Sequence, residues 1–281
     1  MQYELPNGYL SASSLNCLLT CPRQYEFRYI DRIPVAPTAS MLTGSALHKT
    51  FETYYKGVIT NSDNRLTATQ MADLATETLH ETLTSEEHYL SETEQEEAGI
   101  VVRDLASTYA ENVAPTIVPL AVEEEHVWLS RCGVPILSYI DLRRRCPDGG
   151  EVVCDYKITT KRWTLDKLEN SLQFNLYSMV TGIGDVEVHN LVKAAPAKRA
   201  SIVKPQDNVI DLAPNLRILR HYFDGSLHEY MEDLIESCAH LITSGIFTPC
   251  SLDSWCCNPD WCGYWSQCRG KAQSKTIDIA A

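Results

Sequence analysis

Asp141, Asp155 and Lys157 are the residues of this 281-residue chain whose types and spacing point most directly to chemistry. They lie in residues 134–157, VPILSYIDLRRRCPDGGEVVCDYK, which read as a β-hairpin. Pro147, Asp148 and Gly149 have the chemistry of a three-residue loop, a type I turn closed by a left-handed glycine. That loop sets Cys146 against Gly150, and therefore Asp141 against Asp155. Opposed residues of an antiparallel pair project to one side of the sheet, and alternation brings Lys157 to that side too. Two carboxylates so close repel, and a divalent cation relieves them. Oxygen ligands suit Mg²⁺ or Mn²⁺, which keep several waters and bind phosphate oxygens. Lys157 is then placed to orient an attacking water or to stabilise charge at phosphorus. A salt-bridged, half-exposed hairpin is the non-functional reading of the same pattern.

The most specific spacing is C-terminal. Residues 255–268, WCCNPDWCGYWSQC, separate Cys257, Cys262 and Cys268 by four and five residues in an aromatic loop. Three thiolates complete neither a tetrahedral nor a cubane site, so a fourth ligand must come from elsewhere. Cys21, followed by Pro22, is the natural candidate, and it would staple the two chain ends together. Zinc is the rival metal, but a zinc ribbon uses two close C-x-x-C pairs, which this chain lacks. The spacing favours an iron–sulfur cluster.

The elements that must position these residues follow from caps and periodicity. Ser11 to Ser14 offer N-caps for a helix reaching about Ile30, with a break at Cys21-Pro22. A second helix starts near Thr43-Gly44 and runs past Tyr55, with His48 and Glu52 on one face. Residues 58–116 read as a polar helical insertion, with a glutamate-rich solvated run from Ser85 to Glu97 and a helix over about 95–112. Val122 to Ser130 suggest a strand with Glu123, Glu124 and Glu125 in it; one of them could approach the metal site from a neighbouring strand, but solvated charge is the better reading. After the hairpin, Lys161 and Arg162 form a basic loop suited to phosphate. A helix over 164–181 ends at Gly182 and carries Gln173 and Tyr177 at i, i+4. Residues 185–192 read as a strand, 202–209 as an edge strand, and 214–244 as a long helix weakened at Gly225.

A formal charge of −13 argues against a protein that coats nucleic acid indiscriminately, while leaving room for a narrow basic channel. No apolar run is long enough to span a bilayer, and the first residues begin no signal peptide, so a cytoplasmic location is expected. Eleven cysteines there favour metal binding over disulfides.

Taken in order, the chain offers Ser13 to Arg23 with a Cys-Pro-Arg end, Gly44-x-x-x-His48, Ile140-Asp141, Asp155-Tyr156-Lys157, Gln173-x-x-x-Tyr177 and the cysteine triplet. This series resembles the PD-(D/E)XK nuclease superfamily in its RecB/AddB-like iron–sulfur exonuclease branch, which includes CRISPR-adaptation nucleases and phage exonucleases. The resemblance implies an α/β fold: a restriction-endonuclease-like mixed β-sheet flanked by helices, one nuclease domain over 1–281. Residues 58–116 would be a helical insertion, and residues 246–270 an iron–sulfur segment packed on the 13–30 helix.

It also implies roles. His48, Asp141, Asp155 and the backbone carbonyl of Ile158 would hold Mg²⁺ or Mn²⁺, and Lys157 would be the catalytic lysine. Gln173 and Tyr177 would lie beside the DNA. Cys21, Cys257, Cys262 and Cys268 would hold a [4Fe–4S] cluster; Cys256, next to Cys257, leaves two candidates for the triplet's first ligand. The implied activity is metal-dependent hydrolysis of DNA, single-stranded or with free ends, alongside a helicase, recombinase or CRISPR-adaptation partner. No Walker A motif is present, so no motor accompanies it. The competing reading is a non-catalytic DNA-binding or adaptor protein with an iron–sulfur or zinc-stabilised fold.

Overall fold

The computed structural model describes residues 3–193 and 208–270. The chain forms two compact units. One comprises 37–128 and 137–231; the other comprises the N-terminal 36 residues, 129–136 and the chain from 232 onward.

The larger unit is built on a six-stranded mixed sheet of order β1-β2-β3-β4-β6-β5. Its strands are β1 (Val118–Leu129), β2 (Pro135–Arg145), β3 (Glu151–Thr159), β4 (Asp185–Val192), β5 (Val209–Ala213) and β6 (Leu216–Tyr222). β2 and β3 form the expected hairpin: the Cys146 N–H donates to the Gly150 carbonyl at 2.7 Å, and Gly149 takes φ +91°. β3 and β4 run parallel, joined by α6 (Leu165–Glu169) and α7 (Leu172–Thr181). On the other face lie α3 (Ala39–Thr60), α4 (Ala68–Ser85) and α5 (Glu92–Asn112). The result is a mixed sheet flanked by helices, with an apolar core on each face.

Alternation along β3 sorts those cores. Val152, Cys154 and Tyr156 pack with Phe51, Met71, Val102 and Tyr109 of α3, α4 and α5, while Val153 packs with Phe174 and Tyr177 of α7. β4 is buried along nearly its whole length, as a parallel strand covered on both faces should be.

Several elements differ from the sequence expectation. Helix α3 starts at Ala39, because the Thr38 side chain caps the Met41 N–H. Helix α5 starts at Glu92 behind a Ser91–Glu94 capping box, and β1 starts at Val118, four residues before the expected strand. The single helix over 164–181 is two, since Asn170 caps α6 by bonding the Asp166 carbonyl. The long helix over 214–244 is a strand, β6, followed by α8 (His228–Thr243). β6 satisfies the open edge of β4 and pairs with β5 on its other side, which a helix could not do. Most of the expected 202–209 edge strand lies outside the described residues.

Gly184 shows how tightly β4 is met. A Cβ there would stand 2.6 Å from the Phe223 carbonyl and 2.8 Å from the Tyr222 ring. Gly184→Ala is expected to destabilise the protein by about 1–3 kcal/mol, read as a lowered urea midpoint with an unchanged slope.

In the smaller unit, α1 (Ala12–Thr20) stops at an extended Cys21, and α2 (Pro22–Tyr25) resumes with proline in its first turn before a π turn over 26–30. The Arg23 N–H donates to Thr248 at 3.1 Å, Tyr25 stacks on Phe247, and Phe27 meets Tyr264. Among the described residues no helix is long and apolar enough to cross a membrane.

Candidate active site

β2, β3 and α3 bring Asp141, Lys157 and His48 to one cleft of about 610 Å³, which Ile158 also lines. The hairpin ladder runs from Arg145↔Glu151 to Leu142↔Cys154 and stops one residue short of Asp141. There the Asp141 carboxylate accepts the Tyr156 N–H at 2.9 Å and lies 3.3 Å from His48 Nδ1. Ile140 and Leu142, two residues apart, fall in opposite cores, so the alternation of β2 breaks between them. Asp141 is thereby turned toward α3, rather than lying side by side with Asp155 as the simple register implies.

Asp155 serves a second cluster. It is 1% exposed. Its Oδ1 accepts from Gln173 Nε2 at 2.9 Å, with the Tyr177 hydroxyl at 3.5 Å, and its Oδ2 is 2.7 Å from Lys157 Nζ. That oxygen receives no well-directed hydrogen bond, although it is buried. Lys157 also donates to Gln173 Oε1 at 2.9 Å, so one amide side chain fixes both the carboxylate and the ammonium. The Tyr177 hydroxyl donates to the Tyr139 carbonyl at 2.8 Å.

The electrostatics separate the two acids. Burial pushes the Asp155 carboxyl well above the ordinary range despite the nearby Lys157 charge, and the Asp141 charge adds to the rise. Burial pushes Asp141 the same way, but His48 and the Tyr156 N–H outweigh it and hold Asp141 below its ordinary value.

Glu123 is the residue for which the sequence favoured solvated charge over an approach to the metal site, and the structure places it in the cleft. One ligand atom each from His48, Glu123 and Asp141 lie within 4.8 Å of one another. The other two glutamates of β1 are engaged elsewhere: Glu124 binds Arg143, and Glu125 accepts from the Tyr139 hydroxyl. The only signal in the sequence is three consecutive glutamates, of which strand alternation cannot say which turns inward. Lys161 and Arg162 do not line the cleft. Arg162 pairs with Asp211 at 3.2 Å and donates to the Pro214 carbonyl.

A second group, Cys154, Glu187 and His189, also has ligand atoms within 4.8 Å. Arg144 already donates to both Glu187 oxygens, so a cation's place there is taken by a guanidinium.

In the smaller unit, Cys21, Cys250, Cys256, Cys257, Cys262 and Cys268 line one cavity. Cys262 feels the thiols of Cys21, Cys257 and Cys268, and Cys17 in turn feels Cys262. Cys256 turns instead to Cys250, Sγ to Sγ 3.7 Å, and to Ser254 Oγ at 3.2 Å.

No match was found among curated proteins. Among solved structures, the one titled "Crystal structure of SSO0001" aligns over 94% of this chain and 87% of that one, at 12% identity and a TM-score of 0.42, too low to carry an argument. The family model of the PD-(D/E)XK nuclease superfamily matches residues 9–269, nearly the whole chain, and the chain belongs to that superfamily.

Proposed function

We propose that this protein is a Mg²⁺- or Mn²⁺-dependent deoxyribonuclease of the RecB/AddB-like branch, acting as an exonuclease on single-stranded or end-resected DNA. The observation that carries this reading is the cleft itself, where Asp141, His48 and Lys157 converge in front of the buried Asp155. The donor set fits a hard divalent cation: imidazole and carboxylates within 4.8 Å, and a buried Asp155 oxygen without a directed donor. His48 and Asp141, with Asp155 and the Ile158 carbonyl, would hold it. When bound, such an ion supplies Lewis-acid charge neutralisation at phosphorus and a lowered water pKa.

The chain's own residues do the rest. Lys157 has three N–H donors. Gln173 takes one, and the Asp155 carboxylate pairs with the ammonium at 2.7 Å without a well-directed hydrogen bond, which leaves donors for a phosphate oxygen or the attacking water in the cleft. Gln173 and Tyr177 act as positioning residues, since their contacts are to Asp155 and Lys157. Water adds to phosphorus, the P–O bond to the neighbouring nucleotide breaks, and the proton from water passes to the departing oxygen or to solvent.

Cys21, Cys257, Cys262 and Cys268 are assigned to a [4Fe–4S] cluster. The pairing of Cys256 with Cys250, Sγ to Sγ 3.7 Å, supports Cys257 over Cys256 as the first ligand of the triplet. Among the described residues no three thiol sulfurs lie within 4.8 Å of one another. A single tetrahedral zinc at about 2.3 Å from each ligand would draw them to about 3.8 Å.

The test is anaerobic purification, iron and sulfide analysis, and incubation with end-labelled linear strands and with circles, in Mn²⁺ or EDTA. About four irons and four sulfides per chain, with Mn²⁺-dependent loss of linear strands and intact circles, is the expected result. Cut circles would make the enzyme an endonuclease. Zinc in place of iron would overturn the cluster, and no cleavage of any substrate would leave a DNA-binding adaptor.

A further inference from the structure

Glu123 stands on β1 with a backbone that glutamate rarely adopts. Its φ is +49°, in the left-handed region, inside an otherwise extended strand. A non-glycine residue there costs about 1–2 kcal/mol, and such a cost persists where the surroundings hold the residue for a purpose. Its carboxylate lies in the cleft beside His48 and Asp141.

In that place the carboxylate has poor company. It is half-buried, and no described residue gives it a hydrogen bond or an ion pair. Burial, and then the charges of Asp141 and Glu52, raise its pKa, with His48 and Lys56 only partly opposing them. The two lysines nearest on α3, Lys49 and Lys56, are both spent on Glu52. The arrangement therefore places a strained, unpaired carboxylate beside a second carboxylate, with an imidazole completing the triangle. Protein cations do not balance it.

We propose that Glu123 is a direct ligand of a divalent cation, seated between His48 and Asp141 at the outer end of the cleft. The inference rests on the nuclease reading above and extends its ligand set to a residue on β1. An octahedral Mg²⁺ or Mn²⁺ at about 2.1 Å from its ligands keeps them about 3.0–4.2 Å apart. The three donor atoms, within 4.8 Å of one another, reach that spacing by small side-chain movements. Asp155 is absent from this group and is engaged by Lys157 and Gln173. Glu123 thus supplies the carboxylate that Asp155, in this arrangement, does not bring to the outer position.

The test is Mn²⁺ binding to the full iron-loaded chain, followed by electron paramagnetic resonance of the free ion and independent of activity. Wild type is compared with Glu123→Gln, Glu123→Gly, Glu125→Gln and Asp141→Asn. Losing a ligand should cost at least the tenfold or so in affinity that losing a second-shell partner costs. Glu123→Gln and Glu123→Gly are therefore expected to weaken Mn²⁺ binding at least about tenfold, while Glu125→Gln leaves it unchanged. Glu123→Gly also guards against a folding artefact, because glycine takes this φ freely. Its melting temperature should equal or exceed that of wild type while its Mn²⁺ affinity falls. Wild-type affinity in both Glu123 variants, alongside its loss in Asp141→Asn, would overturn the role of Glu123 and leave the nuclease reading standing. A wild-type chain that neither binds Mn²⁺ nor cleaves DNA would overturn both.

Discussion

Asp155→Ala and Lys157→Ala are each expected to lower Mn²⁺-dependent DNA cleavage by at least about 10³-fold, the scale of removing one preorganised charge-stabilising group. The two residues form one device. Asp155 is buried and holds the Lys157 ammonium at 2.7 Å, and Gln173 bonds to both. Removing Asp155 frees Lys157 to swing away; removing Lys157 takes away the donor that faces the substrate. Because they act as a unit, the double variant should lose little more than either single one. Gln173→Ala is expected to cost less, about 10–10²-fold, since it misplaces Lys157 without deleting it. Cleavage rates over a Mn²⁺ series check all four, with melting curves recorded in parallel. Full activity in Lys157→Ala would remove the lysine from the mechanism.

Glu187→Ala is expected to have the largest effect on stability, about 3–5 kcal/mol. Glu187 is 5% exposed on β4 and receives both of its Arg144 donors from β2, with the buried His189 ring at 3.4 Å. His189 in turn meets the Tyr109 hydroxyl at 3.0 Å, and Tyr109 meets Tyr55 at 2.9 Å. One connected network thus ties α3 and α5 to the middle of the sheet. Taking the carboxylate away strands a guanidinium in that interior. Burial pushes the Glu187 carboxyl up, but His189 and Arg144 prevail and bring it from 4.5 down to about 2. At about 1.4 kcal/mol for each factor of ten, that change corresponds to about 3 kcal/mol, in line with the mutational expectation.

The sign follows from linkage: the stabilisation is fully present above pH 4.5 and is lost as pH falls toward 2. Urea midpoints measured between these values should fall more steeply with acid in wild type than in Glu187→Ala. Replacing both partners, Arg144→Met with Glu187→Leu, should recover most of the loss, because an apolar pair leaves no buried charge unpaired. A Glu187→Ala midpoint close to that of wild type would refute the role of the network.

The parts of the site legible in the sequence are those set by short-range chemistry. The Pro-Asp-Gly turn determines the pairing of Cys146 with Gly150, and that register carries Asp141 and Asp155 to the same end of the hairpin. The break at Cys21-Pro22 follows from proline's missing N–H, and the end of α7 at Gly182 from the left-handed φ of +69° that glycine adopts. The superfamily itself was readable, because its motifs are short and keep their order along the chain.

What the tertiary structure decided lies where one segment answers to another far away. Residues 216–222 carry no strong strand signal of their own, and they extend because β4 has an open edge to satisfy. Gln173 and Tyr177 read as substrate contacts on a helix face, yet packing of α7 against the sheet turns both onto Asp155. The ladder ends at Leu142, so Asp141 turns from its hairpin partner toward His48 of α3. Glu123 is the plainest case. Strand periodicity alone treats three successive glutamates as alternating, and only the folded chain shows which one, at a φ of +49°, lies in the cleft. Sequence determined which side chains were available for chemistry, through turns, caps and motif order. Which of them meet was decided by long-range pairing and packing, whose energies depend on partners that no local window contains.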